Sequence, residues 1–84
     1  MKLYTLDNKL IKNINSWAVP YKFSGYISYG FNQKDYFLDG ERHRIGVPAY
    51  ICNNKIAWYY IYGTLVTKEQ HDLLYSIMKL KGLL

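Results

Sequence analysis

Cysteine is almost missing from this chain. Cys52 stands alone, so no intramolecular disulfide can form. A small secreted domain ordinarily needs several such bridges, and the expected setting is therefore reduced, soluble and cytoplasmic. Long apolar runs are missing too: the longest, Ile56 to Tyr62, has seven residues and cannot span a bilayer. The first residues, Met1-Lys2-Leu3-Tyr4-Thr5-Leu6-Asp7, hold no apolar stretch of the signal-peptide kind. No membrane partner is expected. Acids are scarce, six against eleven Lys and Arg, which leaves a net charge of +5. That balance favours an anionic partner without specifying it.

Chemistry-bearing residues are equally few. His43 and His71 are the only histidines. His71 falls in the first turns of a predicted helix, where the dipole disfavours its protonated form. Apolar neighbours flank Cys52, so it reads as an inert buried thiol. No HExxH, CxxC, P-loop or G-x-S-x-G pattern is present. Cys52, His43 and His71 share no recognised ligand spacing. The chain therefore reads as a non-enzyme, with no catalytic residue, metal or cofactor.

What the chain does have is tyrosine. Ten Tyr stand against three Phe and two Trp, and half of all residues are hydrophobic. Tyr buries a large ring while keeping one hydroxyl for a partner, which suits half-wet surfaces. Eighty-four residues make one domain, 1–84, near the lower size limit for a self-sufficient core. Its charge is uneven: Met1 to Lys34 carries five lysines and one acid, an excess of +4. Asp35 to Val66 is balanced, and the remainder adds +1. A basic face of this kind can also serve solubility alone.

Turn chemistry organises the middle of the chain. Asp39-Gly40 separates Tyr36-Phe37-Leu38 from Glu41-Arg42-His43-Arg44-Ile45, and both residues suit the positive φ of a type I′ turn. Asn53-Asn54 plays the same part between Ala49–Cys52 and Lys55–Ile61. Tyr62-Gly63 breaks that strand before Thr64-Leu65-Val66, and Pro48 interrupts pairing. Lys9–Ile14 and Tyr21–Tyr29 are further strand candidates. In the latter, Lys22, Ser24, Tyr26 and Ser28 would share a face. From Thr67 the period becomes helical. Thr67 and Gln70 fit a capping box, and Leu73, Leu74, Ile77, Met78 and Leu80 form a stripe that would pack on the sheet. Gly82 is the stop. The expected fold is α+β: a twisted antiparallel meander of five to seven short strands with one helix over about 67–81.

Tyr36-Phe37-Leu38-Asp39-Gly40 returns as Tyr59-Tyr60-Ile61-Tyr62-Gly63 at an offset of 23 residues. With His43-Arg44, Pro48-Ala49 and Trp58, the segment 36–63 resembles the W-Y-x-x-G-x-x-H-R-x-x-G-P-A repeat of small phage and large-DNA-virus proteins. It departs where Val47 splits Gly46 from Pro48, and where Val66-Thr67 replaces His-Arg in the second copy. The resemblance carries no catalytic site. It implies a phage-encoded, non-enzymatic counter-defence protein of the host cytoplasm. An antitoxin-like inhibitor of a host ribonuclease toxin, of the kind that T4-type phages encode and that works with RNA, would fit.

Arg42 and Arg44, two residues apart on a strand, would share a face and make a phosphate clamp, unless Asp39 and Glu41 pair with them locally. His43 reads as a donor that holds the turn. Rings interleaved with cations are what single-stranded nucleic acid requires. The candidate RNA-binding residues are thus Lys9, Lys12, Lys22, Lys34, Arg42 and Arg44 for phosphates, with Tyr26 and Tyr29 for stacking. Trp58 reads as core. The rival expectations are a protein-interaction module that inhibits a host protein directly, and a homo-oligomer built on sheet edges.

Overall fold

Asp39 and Gly40 take φ of 49° and 85°, and Tyr62 and Gly63 take 46° and 84°. These paired positive values are the type I′ signature, whose twist matches that of the strands it joins. The two copies of the repeat therefore end in the same turn. The first connects β4 (Gln33–Leu38) to β5 (Glu41–Arg42), with Leu38 opposite Glu41. The second connects β7 (Ile56–Ile61) to β8 (Thr64–Val66), with Ile61 opposite Thr64.

The computed structural model describes residues 1–13, 20–30, 32–53 and 55–83. Before these hairpins come β1 (Lys2–Tyr4), β2 (Leu10–Asn13) and β3 (Gly25–Gly30), and β6 (Tyr50–Cys52) lies between them. All pairings are antiparallel, and the order across the sheet is β2-β1-β3-β4-β6-β7-β8, with β5 beside the end of β4. The sheet is open. The fold is α+β as expected, with eight strands counting the two-residue β5. The start of the chain is not a simple meander, because β1 lies between β2 and β3.

Several boundaries differ from the sequence reading. The strand expected from Tyr21 begins at Gly25, since Lys22 adopts φ 54° and the Phe23 N–H donates to the Pro20 carbonyl, closing a turn. Gly25 itself can carry no side chain: a Cβ there would lie 2.1 Å from the Tyr4 carbonyl oxygen on β1. At the Asn53 turn the Lys55 N–H donates to the Cys52 carbonyl at 3.0 Å; Asn54 and the Ile14 end of the second strand fall outside the described residues.

Register divides the sheet into two sides. On one, Leu3, Ile27 and Phe37 from β1, β3 and β4 meet Phe23 to form the core, with Met1 and Tyr29 against it. Asp35 points into this side and is fully buried. Trp58 belongs to the same side but is 48% exposed, stacked on Tyr50 with centroids 4.9 Å apart. It is not core, because it registers at the thin β6–β7 end of the sheet, beyond the buried cluster.

The helix α1 (Lys68–Leu80) lies against β7 on the opposite side. Its capping box forms as expected: the Thr67 hydroxyl accepts from the Gln70 N–H, and the Gln70 side chain accepts from the Thr67 N–H. It ends in a Schellman arrangement at Gly82, with Leu83 N–H donating to the Met78 carbonyl. The expected single apolar stripe is split. His71, Leu74, Tyr75 and Met78 turn inward, His71 accepting from the Gly46 N–H at 3.1 Å with its ring 4.5 Å from that of Tyr59. Leu73, Ile77 and Leu80 are left outside, 65%, 40% and 88% exposed.

Candidate nucleic-acid interface

The cations proposed from sequence do not share one surface. Lys9 lies in the turn after β1, 3.8 Å from Asp7. Lys12 sits opposite Leu3, on the core side of the edge strand β2. Lys22 occupies the turn before β3, its ammonium 5.5 Å from the Tyr21 ring centre. Arg42 and Arg44, expected together, lie on opposite sides. The Arg42 Nε approaches the two Asp35 oxygens at 2.9 and 3.0 Å, and its partner is therefore neither Asp39 nor Glu41. Beyond Arg42 the chain leaves β5, so strand alternation no longer applies. Arg44 instead lays its guanidinium 3.7 Å over Tyr36 and donates to the Pro48 carbonyl.

The two rings proposed as stacking platforms are already engaged. Tyr26 is only 5% exposed, stacked on Tyr4 at 5.0 Å and against Tyr36 at 5.1 Å. Its hydroxyl donates to Asn8 Oδ1 at 2.8 Å. Burial, with Tyr36 and Tyr4 adding to it, pushes the Tyr26 phenol above its ordinary pKa, so the ring stays neutral. Tyr29 points to the core side, where its hydroxyl donates to Asp35 at 3.3 Å. Burial first, then the Asp35 carboxylate, push its pKa up to about 12. Neither ring offers a free face to a base.

What the fold does assemble is a cross-strand ladder on the side opposite the core. Tyr4, Tyr26 and Tyr36 stand opposite one another on β1, β3 and β4, and Arg44 closes the row. Their spacing follows that of the strands, about 4.8 Å. Two residues along each strand, a second row holds Lys2, Ser28 and Lys34 in register. The Lys34 ammonium sits 5.1 Å from the Tyr26 ring centre. Three cations thus share one side. Among the described strand residues, the carboxylate on that side is Glu41, opposite Leu38 and away toward Gly63. A groove of about 400 Å³ opens beside Arg44, bounded by Leu6, Tyr36, Leu38, His43 and Ile45.

Lys2, Tyr4 and Tyr36 were not singled out from the sequence. Their signal is Lys-x-Tyr, present as Lys2-Leu3-Tyr4 and again as Lys34-Asp35-Tyr36. Between them Tyr26-Ile27-Ser28 runs antiparallel and supplies the middle of both rows.

His43 holds a turn, though as an acceptor. Its Nδ1 receives the Tyr62 N–H at 2.9 Å, and the two rings stack at 4.0 Å. Burial lowers its pKa, with the Glu41 carboxylate opposing, so the neutral form that this bond needs is favoured. Cys52 is half-buried. Among the described residues, no three His, Cys, Asp or Glu side chains stand together as a metal site, and no helix is long and apolar enough to cross a membrane. Neither family models, curated proteins nor solved structures give a match to this chain.

Proposed function

We propose that this chain is a non-enzymatic binding protein that grips RNA by its phosphates on the Lys2–Lys34–Arg44 side of the sheet. In the setting implied by the repeat, it acts in the host cytoplasm as an antitoxin-like inhibitor of a defence factor such as a ribonuclease toxin. The observation that carries the RNA reading is the registered Lys2–Ser28–Lys34 row beside a tyrosine ladder that Arg44 terminates. Because the rings face one another and Tyr26 is buried with its hydroxyl on Asn8, the ladder has no free ring face and serves to position the cations beside it. This side suits anionic oxygens better than stacked bases. Arg44 is held in place by Tyr36 and the Pro48 carbonyl, so little side-chain freedom is lost on meeting a phosphate.

A filter-binding titration against single-stranded RNA at several salt concentrations tests this. Three phosphate contacts predict a log–log salt slope of about −2. Lys2→Ala, Lys34→Ala and Arg44→Ala should each weaken binding and flatten the slope, whereas Lys12→Ala, on the other side, should leave it intact. A flat salt response, or equal losses from all four variants, overturns the reading.

A second reading, direct inhibition of a host protein, draws on the exposed rings of Trp58 and Tyr62. A pull-down from host extract with and without ribonuclease separates the two. Partners lost on ribonuclease treatment favour RNA, and partners retained favour a direct protein contact.

A further inference from the structure

Trp58 carries a ring stack that stops one ring short. It is paired in register with Tyr50 on β6, and the two rings lie 4.9 Å apart, one strand spacing. Tyr50 is itself fixed, because its hydroxyl accepts from Gln33 Nε2 at 2.9 Å. With Tyr50 on the β6 side, the second face of Trp58 turns toward β8. Tyr59 pairs with Val66, so the next rung beside Trp58 falls at Thr67. Thr67 has no ring, and its hydroxyl is turned to the Gln70 N–H as the helix cap. The ring position beside Trp58 is thus open, and Trp58 is 48% exposed.

A cavity of about 720 Å³ lies at this point, where β8 ends and the chain turns into α1. That volume falls in the range of small-molecule sites. Trp58 and Leu65 give it apolar walls, Lys55 and Lys68 line it with cations, and no carboxylate lines it. Lys68 is bound to Asp72 at 2.7 Å. Lys55 forms no side-chain ion pair or hydrogen bond among the described residues. The main chain adds a donor and an acceptor. The Trp58 carbonyl accepts from the Ala49 N–H on the β6 side, so the N–H and C=O of Ala57 face the other edge, past the Tyr59–Val66 pair at which β8 stops. The occupant that matches is a planar ring with polar edge atoms and an attached anion. A nucleobase with its phosphate has that composition, whereas a protein's Phe, Tyr or Trp side chain carries no anion.

We infer that the cavity between Trp58 and Thr67 binds one nucleotide, its base stacked on Trp58 as the third ring after Tyr50 and its phosphate held by Lys55. The stacking ring lies on the core side, two strands beyond β4. The site is therefore separate from Lys2, Lys34 and Arg44 and does not rest on the reading of their side.

Isothermal titration calorimetry with AMP and with adenosine tests this on the full chain. AMP should bind saturably, one per chain, in the millimolar range or tighter. Trp58→Leu should weaken both ligands at least about tenfold with the far-UV circular dichroism unchanged. Lys55→Gln, at an exposed position, should weaken AMP about threefold and leave adenosine as it was. A variant carrying Lys2→Ala, Lys34→Ala and Arg44→Ala should bind AMP like the parent, which keeps the fate of this site distinct from that of the RNA grip. In that variant, a short oligoadenylate that displaces AMP assigns the site to a nucleotide of RNA, and one that does not assigns it to a free nucleotide; either supports the inference. No saturable AMP binding, binding that survives Trp58→Leu, or equal losses of AMP and adenosine with Lys55→Gln overturns it. So does N-acetyltyrosinamide competing as well as AMP, which gives the ring position to a protein partner.

Discussion

Replacing Arg42 with Met should destabilise this protein more than any other exposed-looking substitution, and in a pH-dependent way. Asp35 is fully buried while the Arg42 side chain is 44% exposed, so the pair is half in water. Removing Arg42 leaves the carboxylate with the 3.3 Å contact to the Tyr29 hydroxyl as its remaining side-chain bond. Stripping the partner from a fully buried ion costs about 3–5 kcal/mol, and partial solvation on the Arg42 side brings this down to about 2–3. Met keeps most of the aliphatic stem and loses the guanidinium, which also lies over the Phe37 and Tyr60 rings. In a domain this small the loss corresponds to a fall in Tm of about 10–20 °C.

The sign with pH follows from Asp35. Burial pushes its carboxyl above the ordinary carboxylate range, even though Arg42 and then Tyr29 pull it down. A group raised in the folded state gives its full contribution below its unfolded pKa and loses it as pH climbs through the folded value. Without Arg42 the folded value rises further, so the penalty grows between pH 4 and pH 7. Urea unfolding of both proteins at the two pH values, followed by tryptophan fluorescence, measures it. A variant within about 0.5 kcal/mol of its parent at pH 7, or an equal loss at both pH values, would refute the account of Asp35 as an ionised, buried, Arg42-dependent group.

Three other expectations follow from the packing. Gly25→Ala should cost about 3 kcal/mol, since its methyl would collide with the Tyr4 carbonyl and unzip β1 from β3, a loss that amide exchange in Lys2–Tyr4 would report. Thr67→Ala removes the helix cap and should cost about 1 kcal/mol in chemical denaturation. Tyr29, with its pKa pushed up to about 12, contributes stability that is complete below its unfolded value near 10 and is lost as pH climbs toward 12. Thermal melts from pH 9 upward should fall less steeply for Tyr29→Phe than for the parent.

Local chemistry was legible in the sequence where it is decided locally. Asp39-Gly40 and the Thr67/Gln70 box act through bonds a few residues apart, and both form as read. Side assignment held only where strand alternation held. Arg42 and Arg44 part company because β5 stops at Arg42, a boundary set by pairing with Leu38 and Phe37 rather than by the Arg-His-Arg segment itself. The ladder was invisible for a related reason. Tyr4, Tyr26 and Tyr36 are neighbours only once β1 inserts between β2 and β3, and no periodicity within one strand encodes that order. The helix stripe misled in yet another way. Five apolar residues at helical spacing cannot disclose that the sheet takes His71 and Tyr75 in place of Leu73 and Ile77.

The clasp of His43 on Tyr62 also bears on how such a chain can drift over generations. One imidazole closes the second turn by accepting a main-chain proton and by lying flat on the ring that follows, so positions 43 and 62 are answerable to each other although 19 residues separate them. A descendant that swapped the imidazole for an aliphatic side chain would orphan an amide and an aromatic at once. Substitutions at the two positions should therefore be inherited as pairs.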